Sequence, residues 1–126
     1  MNPAEALLLG TAGGLGAVVR YVLDTALSRR LKGPLPFATI LINVTGSLVL
    51  GVIAGAVLAG ADPALQAVLG TGFLGGYTTF STASYQSVSL ALSGRWGAAV
   101  VNGVGTMALC LAAAFGGLAL GSTLMA

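Results

Sequence analysis

The chain has 126 residues, 56% of them hydrophobic, with only five Lys or Arg, three Asp or Glu and no histidine. Its mean hydropathy of +0.98 excludes an ordinary water-soluble domain and points to an all-α integral membrane protein. With no histidine, no paired carboxylates and no metal-ligand cluster, enzymatic chemistry has nothing to work with, so a non-enzyme is expected.

About 20 apolar residues cross the hydrocarbon core as a helix, and the charged positions divide the sequence into four such spans, expected at 4–28, 36–60, 64–93 and 96–122. They fill a single four-helix membrane domain over residues 1–126. The first span has no basic segment ahead of it and carries Glu5, so it is expected to be a membrane helix and not a cleaved leader. Arg20 and Asp24 lie one turn apart near its end and can pair. Arg20 could instead give a vestibule positive potential for anions.

The connection SRRLKGPLP, residues 28–36, carries helix-stopping Gly and Pro with three cations. In the second span Thr39, Asn43 and Ser47 recur at i, i+4, i+8 and form one polar stripe. Asn43 brings an amide with two donors, suited to interhelical hydrogen bonding or to an ion path. The link to the third span is little more than Gly60-Ala61-Asp62-Pro63, with Pro at a first helical turn.

The third span contains GFLGGYTTFST at 72–82. Two adjacent glycines followed by Thr78, Thr79, Ser81 and Thr82 combine weak helix formers with hydroxyls that recapture backbone groups, so a helix break is expected within residues 75–81. The flanks are of nearly equal length, which puts the break near the bilayer midplane. Non-helical backbone is tolerated at that depth only where protein buries it or water reaches it. Freed carbonyls there could bind a cation, and a half-helix beginning near Ser81 favours an anion.

The fourth span repeats the polar stripe with Asn102 and Thr106, and its Cys110 reads as a small packing residue. Loops 1 and 3 lie on one side, so Arg29, Arg30, Lys32 and Arg95 all face one compartment, the cytoplasm by the positive-inside rule. These cations read as topology signals and not as a nucleic-acid surface. Small-xxx-small pairs recur at Gly10 and Gly14, Gly51 and Gly55, Ala112 and Gly116, and Gly117 and Gly121, marking close helix contacts. No charge sits near a span centre, which argues against a proton-coupled carrier. Four helices offer little interior for these polar stripes, so an oligomer, most simply a dimer, is expected in the lipid bilayer.

GGLGAVVRY at 13–21, INVTGSLVLG at 42–51 and GFLGGYTTFST at 72–82 resemble the three signature stretches of the Fluc (CrcB) fluoride channels. The resemblance implies an antiparallel dimer in the cell membrane that passively exports fluoride through two pores. It further implies a central structural Na+ held by backbone carbonyls, here of Gly75 and Thr78. It assigns Asn43 and Phe80 to the pore and Arg20 to a vestibule. Thr39, Thr79, Ser81, Asn102 and Thr106 supply further candidate donors to fluoride. The chain departs from the family pattern at Ala83, where a second Phe is usual, and at Gln86, where a Glu is usual. Pairing with a paralogous subunit in a heterodimer therefore competes with self-association. Outside this family, the same residues are compatible with a small transporter of another substrate or with a non-conducting assembly subunit.

Overall fold

The computed structural model describes residues 1–125, and among them the chain is helical with no strand. Helix α1, Pro3–Arg30, begins with a reciprocal cap: the Asn2 side chain accepts from the Glu5 amide at 2.8 Å and Glu5 accepts from the Asn2 amide at 3.0 Å. Glu5 is therefore spoken for by the helix end. Arg29 and Arg30 occupy the last turn, where the helix dipole favours cations. Helix α2, Phe37–Leu58, follows, and Asp62 then caps the next segment by accepting from the Ala64 amide at 2.9 Å.

That next segment is α3, residues 63–77, whose middle, Gln66–Leu74, is wound as a π-helix. Helix α4, Phe80–Leu92, continues it after two extended residues, and α5, Trp96–Met125, closes the chain with a second π-turn at Val101–Gly105. Helices α1, α2 and α5 are each long and apolar enough to cross a membrane. At 1.5 Å per residue α3 and α4 are about 22 Å and about 20 Å long, so each alone falls short of the hydrocarbon core. The turns before α3 and α5 use Gly60 and Gly94 with φ of 112° and 83°, a region open to glycine.

Glycine sets the packing. A methyl at Gly51 or Gly55 would overlap the carbonyls of Ala114 or Leu118, and one at Gly117 or Gly121 would overlap those of Leu48 or Val52. Helices α2 and α5 thus meet backbone to backbone. In the same way Gly16 is closed against the Phe73 carbonyl and Gly76 against that of Gly13, which joins α1 to α3. Gly10, Gly14 and Gly116, by contrast, face open space, so the Gly10 and Gly14 pair makes no close contact within the chain. The large side chain with the deepest burial is Ile42, and most other large apolar residues face outward, as a lipid solvent permits.

The break falls inside the expected stretch, past the glycine pair. Gly75 and Gly76 are helical, and the extended residues are Thr78, with ψ of 159°, and Thr79, with φ of −144° and ψ of 118°. At Gly76 the missing side chain serves the approach of α1, while the break itself is fixed by contacts described below. Helix α4 begins one residue earlier than expected, at Phe80, with Thr79 as its cap.

The glycine contacts give a paired prediction within α5. Gly117→Ala should lower stability by about 1–3 kcal/mol through overpacking, whereas Gly116→Ala should leave it unchanged. Thermal unfolding of the two variants in one detergent checks this.

Candidate functional site

An extended residue points its N–H and C=O to the same side, whereas a helical residue points them in opposite directions along the axis. Thr79 uses this. Its amide donates to Asn43 Oδ1 at 2.8 Å, and its carbonyl accepts from Asn43 Nδ2 at 2.9 Å. One side-chain amide on α2 therefore satisfies both backbone groups of the residue at the break. Asn43 keeps one N–H unspent, since a primary amide has two. On the other side Arg20 of α1 reaches the Thr78 carbonyl at 3.4 Å, and Asp24 instead accepts from Ser28 at 3.4 Å.

The restart of the helix is built from hydroxyls. Thr79 Oγ1 accepts from the Thr82 amide at 3.2 Å, the usual Ncap arrangement, and donates to Thr82 Oγ1 at 3.1 Å. Ahead of the break, Tyr77 stacks on Phe73 with centroids 6.3 Å apart and shares a 2.9 Å hydrogen bond with Thr45, which ties the end of α3 to α2. In a continuous helix the Thr79 N–H would bond the Gly75 carbonyl. Because it goes to Asn43, that carbonyl loses its helical donor, and Gly75 has open space beside it.

Beside the break runs an open groove of about 890 Å³ between α2, α3, α4 and α5. Of the residues singled out in the sequence, Asn43, Thr79, Phe80, Asn102 and Thr106 lie in its wall, as do Gly75, Thr78 and Ala83. Phe80 stands out from the chain, 87% exposed. Asn102 is 3% exposed and donates to Ser87 Oγ at 2.8 Å. Thr106 lies in the groove wall, and its Oγ1 is buried with no hydrogen-bond partner.

Thr39 and Ser81 stand outside that wall. Thr39 is buried against Gln86, which donates to its hydroxyl at 3.1 Å and leaves its own Oε1 unpartnered. Ser81 is exposed beside the break, 3.4 Å from Thr79 Oγ1. Gln86 and Ser87, adjacent on α4, thus anchor it to α2 and α5 respectively. Among the groove residues that escape sequence reasoning as site residues are Gln66, Thr71, Ser84, Ser87 and Cys110. The thiol falls one turn beyond Thr106, and continuing the stripe 102, 106, 110 would have found it.

The groove wall carries no charged side chain among the described residues, and no group of three or more His, Cys, Asp or Glu could hold a metal there. What it presents is a set of neutral donors, an aromatic ring and half-helix ends. Such a set can replace water around a small ion.

The family model described as CrcB-like protein, Camphor Resistance (CrcB), matches residues 7–118. The fluoride-specific ion channel FluC 1 of Leifsonia xyli subsp. xyli is 51% identical, with 100% of this chain and 93% of that protein covered. The fluoride-specific ion channel FluC 2 of Cutibacterium acnes is 45% identical over 88% of this chain and 92% of its own length. A third, FluC of Rhodopseudomonas palustris, is 44% identical over 90% and 94%. With similarity running through nearly every helix, the chain belongs to the CrcB-like family.

Proposed function

We infer that the chain is a subunit of a fluoride channel of the cell membrane, through which cytoplasmic fluoride leaves passively. It is not an enzyme. The observation that carries this reading is the convergence of Asn43, Asn102, Thr106 and Phe80 on an uncharged groove beside a helix break. Its relatives bear the name of fluoride-specific channels, which supports the choice of ion. Fluoride is small, hard and strongly hydrated, so it enters only where several donors replace its water. Here those donors are the free Asn43 N–H, the Thr106 hydroxyl and the positive edge of the Phe80 ring. Neutral donors hold the ion weakly enough for it to leave, whereas a fixed cation in the wall would retain it.

On this reading two antiparallel chains pair across the groove. Support comes from Phe80, whose ring projects beyond the bundle, and from the Gly75 backbone, which faces open space. A second subunit would bury both. The carbonyls of Gly75 and Thr78 from each chain suit a central Na+. Gly75 has lost its helical donor and oxygen is the ligand that hard cations take, although Arg20 shares the Thr78 carbonyl. Bound there, Na+ would offset the negative ends of two half-helices.

A paralogous chain as the partner is a second reading, favoured by the charges. Arg95 bonds the Pro34 carbonyl at 3.1 Å, so loops 1 and 3 share one face with Arg29, Arg30 and Lys32, and this strong bias opposes insertion both ways. Ala83, which leaves the groove without a second ring, points the same way. In that case the chain expressed alone gives no efflux and regains it on co-expression.

A fluoride-selective electrode recording efflux from proteoliposomes tests the function. Rapid fluoride release, indifferent to an imposed proton gradient, is expected. Release driven by that gradient would indicate a transporter, and no release even with the paralogue would indicate an assembly subunit. Phe80→Ile should slow efflux about tenfold or more, the loss of one good interaction with the passing ion. Modification of the Cys110 thiol in the groove wall should block efflux, and Cys110→Ala should abolish that block.

A further inference from the structure

The brace on Thr79 carries an inference about what Asn43 is for. Its Oδ1 and one of its two N–H groups are both engaged by the same peptide residue, at 2.8 and 2.9 Å in buried surroundings. That pairing is available only while Thr79 is extended. Were α3 and α4 to run on as one helix, the Thr79 N–H would turn to the Gly75 carbonyl and its C=O would point the other way along the axis. Asn43 would then sit 9% exposed with its amide unsatisfied. The side chain therefore discriminates between the broken and the continuous helix.

We propose that Asn43 is a positioning residue, whose amide holds the Thr78–Thr79 break open and so fixes where the Phe80 ring and the start of α4 stand. The consequence for ion passage rests on the fluoride-channel reading, while the brace itself does not. Arg20 contributes from the opposite side by holding the Thr78 carbonyl, so the two extended residues are gripped from α1 and α2 together. The remaining Asn43 N–H is aimed by the same brace, since an amide fixed at two points cannot rotate. Sequence reasoning treats an Asn in a membrane helix as a donor to a partner helix or to an ion. Here its acceptor matters as much, because nothing else supplies one to the Thr79 N–H.

Asn43→Ser separates the two roles. A serine hydroxyl can still donate into the groove, but it is too short to span the N–H and C=O of Thr79. With ¹⁵N-threonine-labelled protein in nanodiscs, the wild-type Thr79 amide should exchange slowly despite lying outside any helix, and the variant amide about tenfold faster or more. Fluoride efflux should fall by about the same factor. An unchanged Thr79 exchange rate with lost efflux would leave contact with the ion as the whole of Asn43's role and overturn the proposal, as would wild-type efflux with a fast-exchanging amide. If the variant does not fold, the wild-type protein decides alone: a Thr79 amide exchanging as freely as a loop amide overturns the brace, and a protected one sustains it. Failure of the channel reading would show separately, as wild-type protein that retains a slow Thr79 amide yet passes no fluoride.

Discussion

Everything in this molecule turns on two extended residues placed where a membrane chain can least tolerate them. A peptide group without a hydrogen bond in hydrocarbon costs several kcal/mol, and Thr78 and Thr79 leave the helix in the middle of a segment with nearly equal arms. The chain answers with side chains in place of backbone. Asn43 takes both polar groups of Thr79, Arg20 reaches the Thr78 carbonyl, and the Thr79 hydroxyl caps the helix that follows. What is left over, a Gly75 carbonyl without its helical donor and a half-helix N-terminus, gives the site its character. The break is therefore both the structural problem and the feature on which the proposed channel reading rests.

The rest of the bundle is arranged to make those contacts possible. Glycine contacts draw α1 onto α3 and α2 onto α5 so closely that a single methyl would strike backbone. On α2 itself, Gly46 leaves room for the Thr78 and Tyr77 side chains, and this approach brings Asn43 within reach of a residue 36 positions away. Helix α4 packs more loosely, with no buried residue of its own, and is held by Gln86 on Thr39 and by Asn102 on Ser87. The groove runs between α4 and its neighbours α2 and α5, beside these two anchoring contacts. Both π-wound stretches border it, at Gln66–Leu74 and Val101–Gly105, as such distortions often do at functional sites.

Much of this is legible in the sequence, and the parts that are not share a cause. Span positions, the Asp62-Pro63 helix start and the absence of mid-membrane charge follow from local chemistry. Asn43, Asn102 and Thr106 stand out because polar residues at helical spacing are conspicuous in an apolar chain, whereas Phe80 is reached only through the family resemblance. The glycine pair opens the stretch expected to break, but helix propensity is a weak local preference, about 1 kcal/mol for glycine, and tertiary contacts decide where within it the helix stops. Gly76 is small for the sake of Gly13, and Thr79 is extended for the sake of Asn43. Ser87 escapes notice because a serine in a helix can satisfy itself on its own backbone. The π-turns leave no local signature, and Cys110 looks like packing until its neighbours on α5 are seen to face a groove.

A single chain leaves this site open on one flank, with polar backbone that lipid cannot hydrogen-bond, so the proposed channel reading calls for a second subunit there. Native mass spectrometry of the fraction that conducts fluoride tests this most directly. The account predicts a species of two family chains, identical or paralogous. A single chain that conducts on its own would contradict it, because the break would then function while facing lipid.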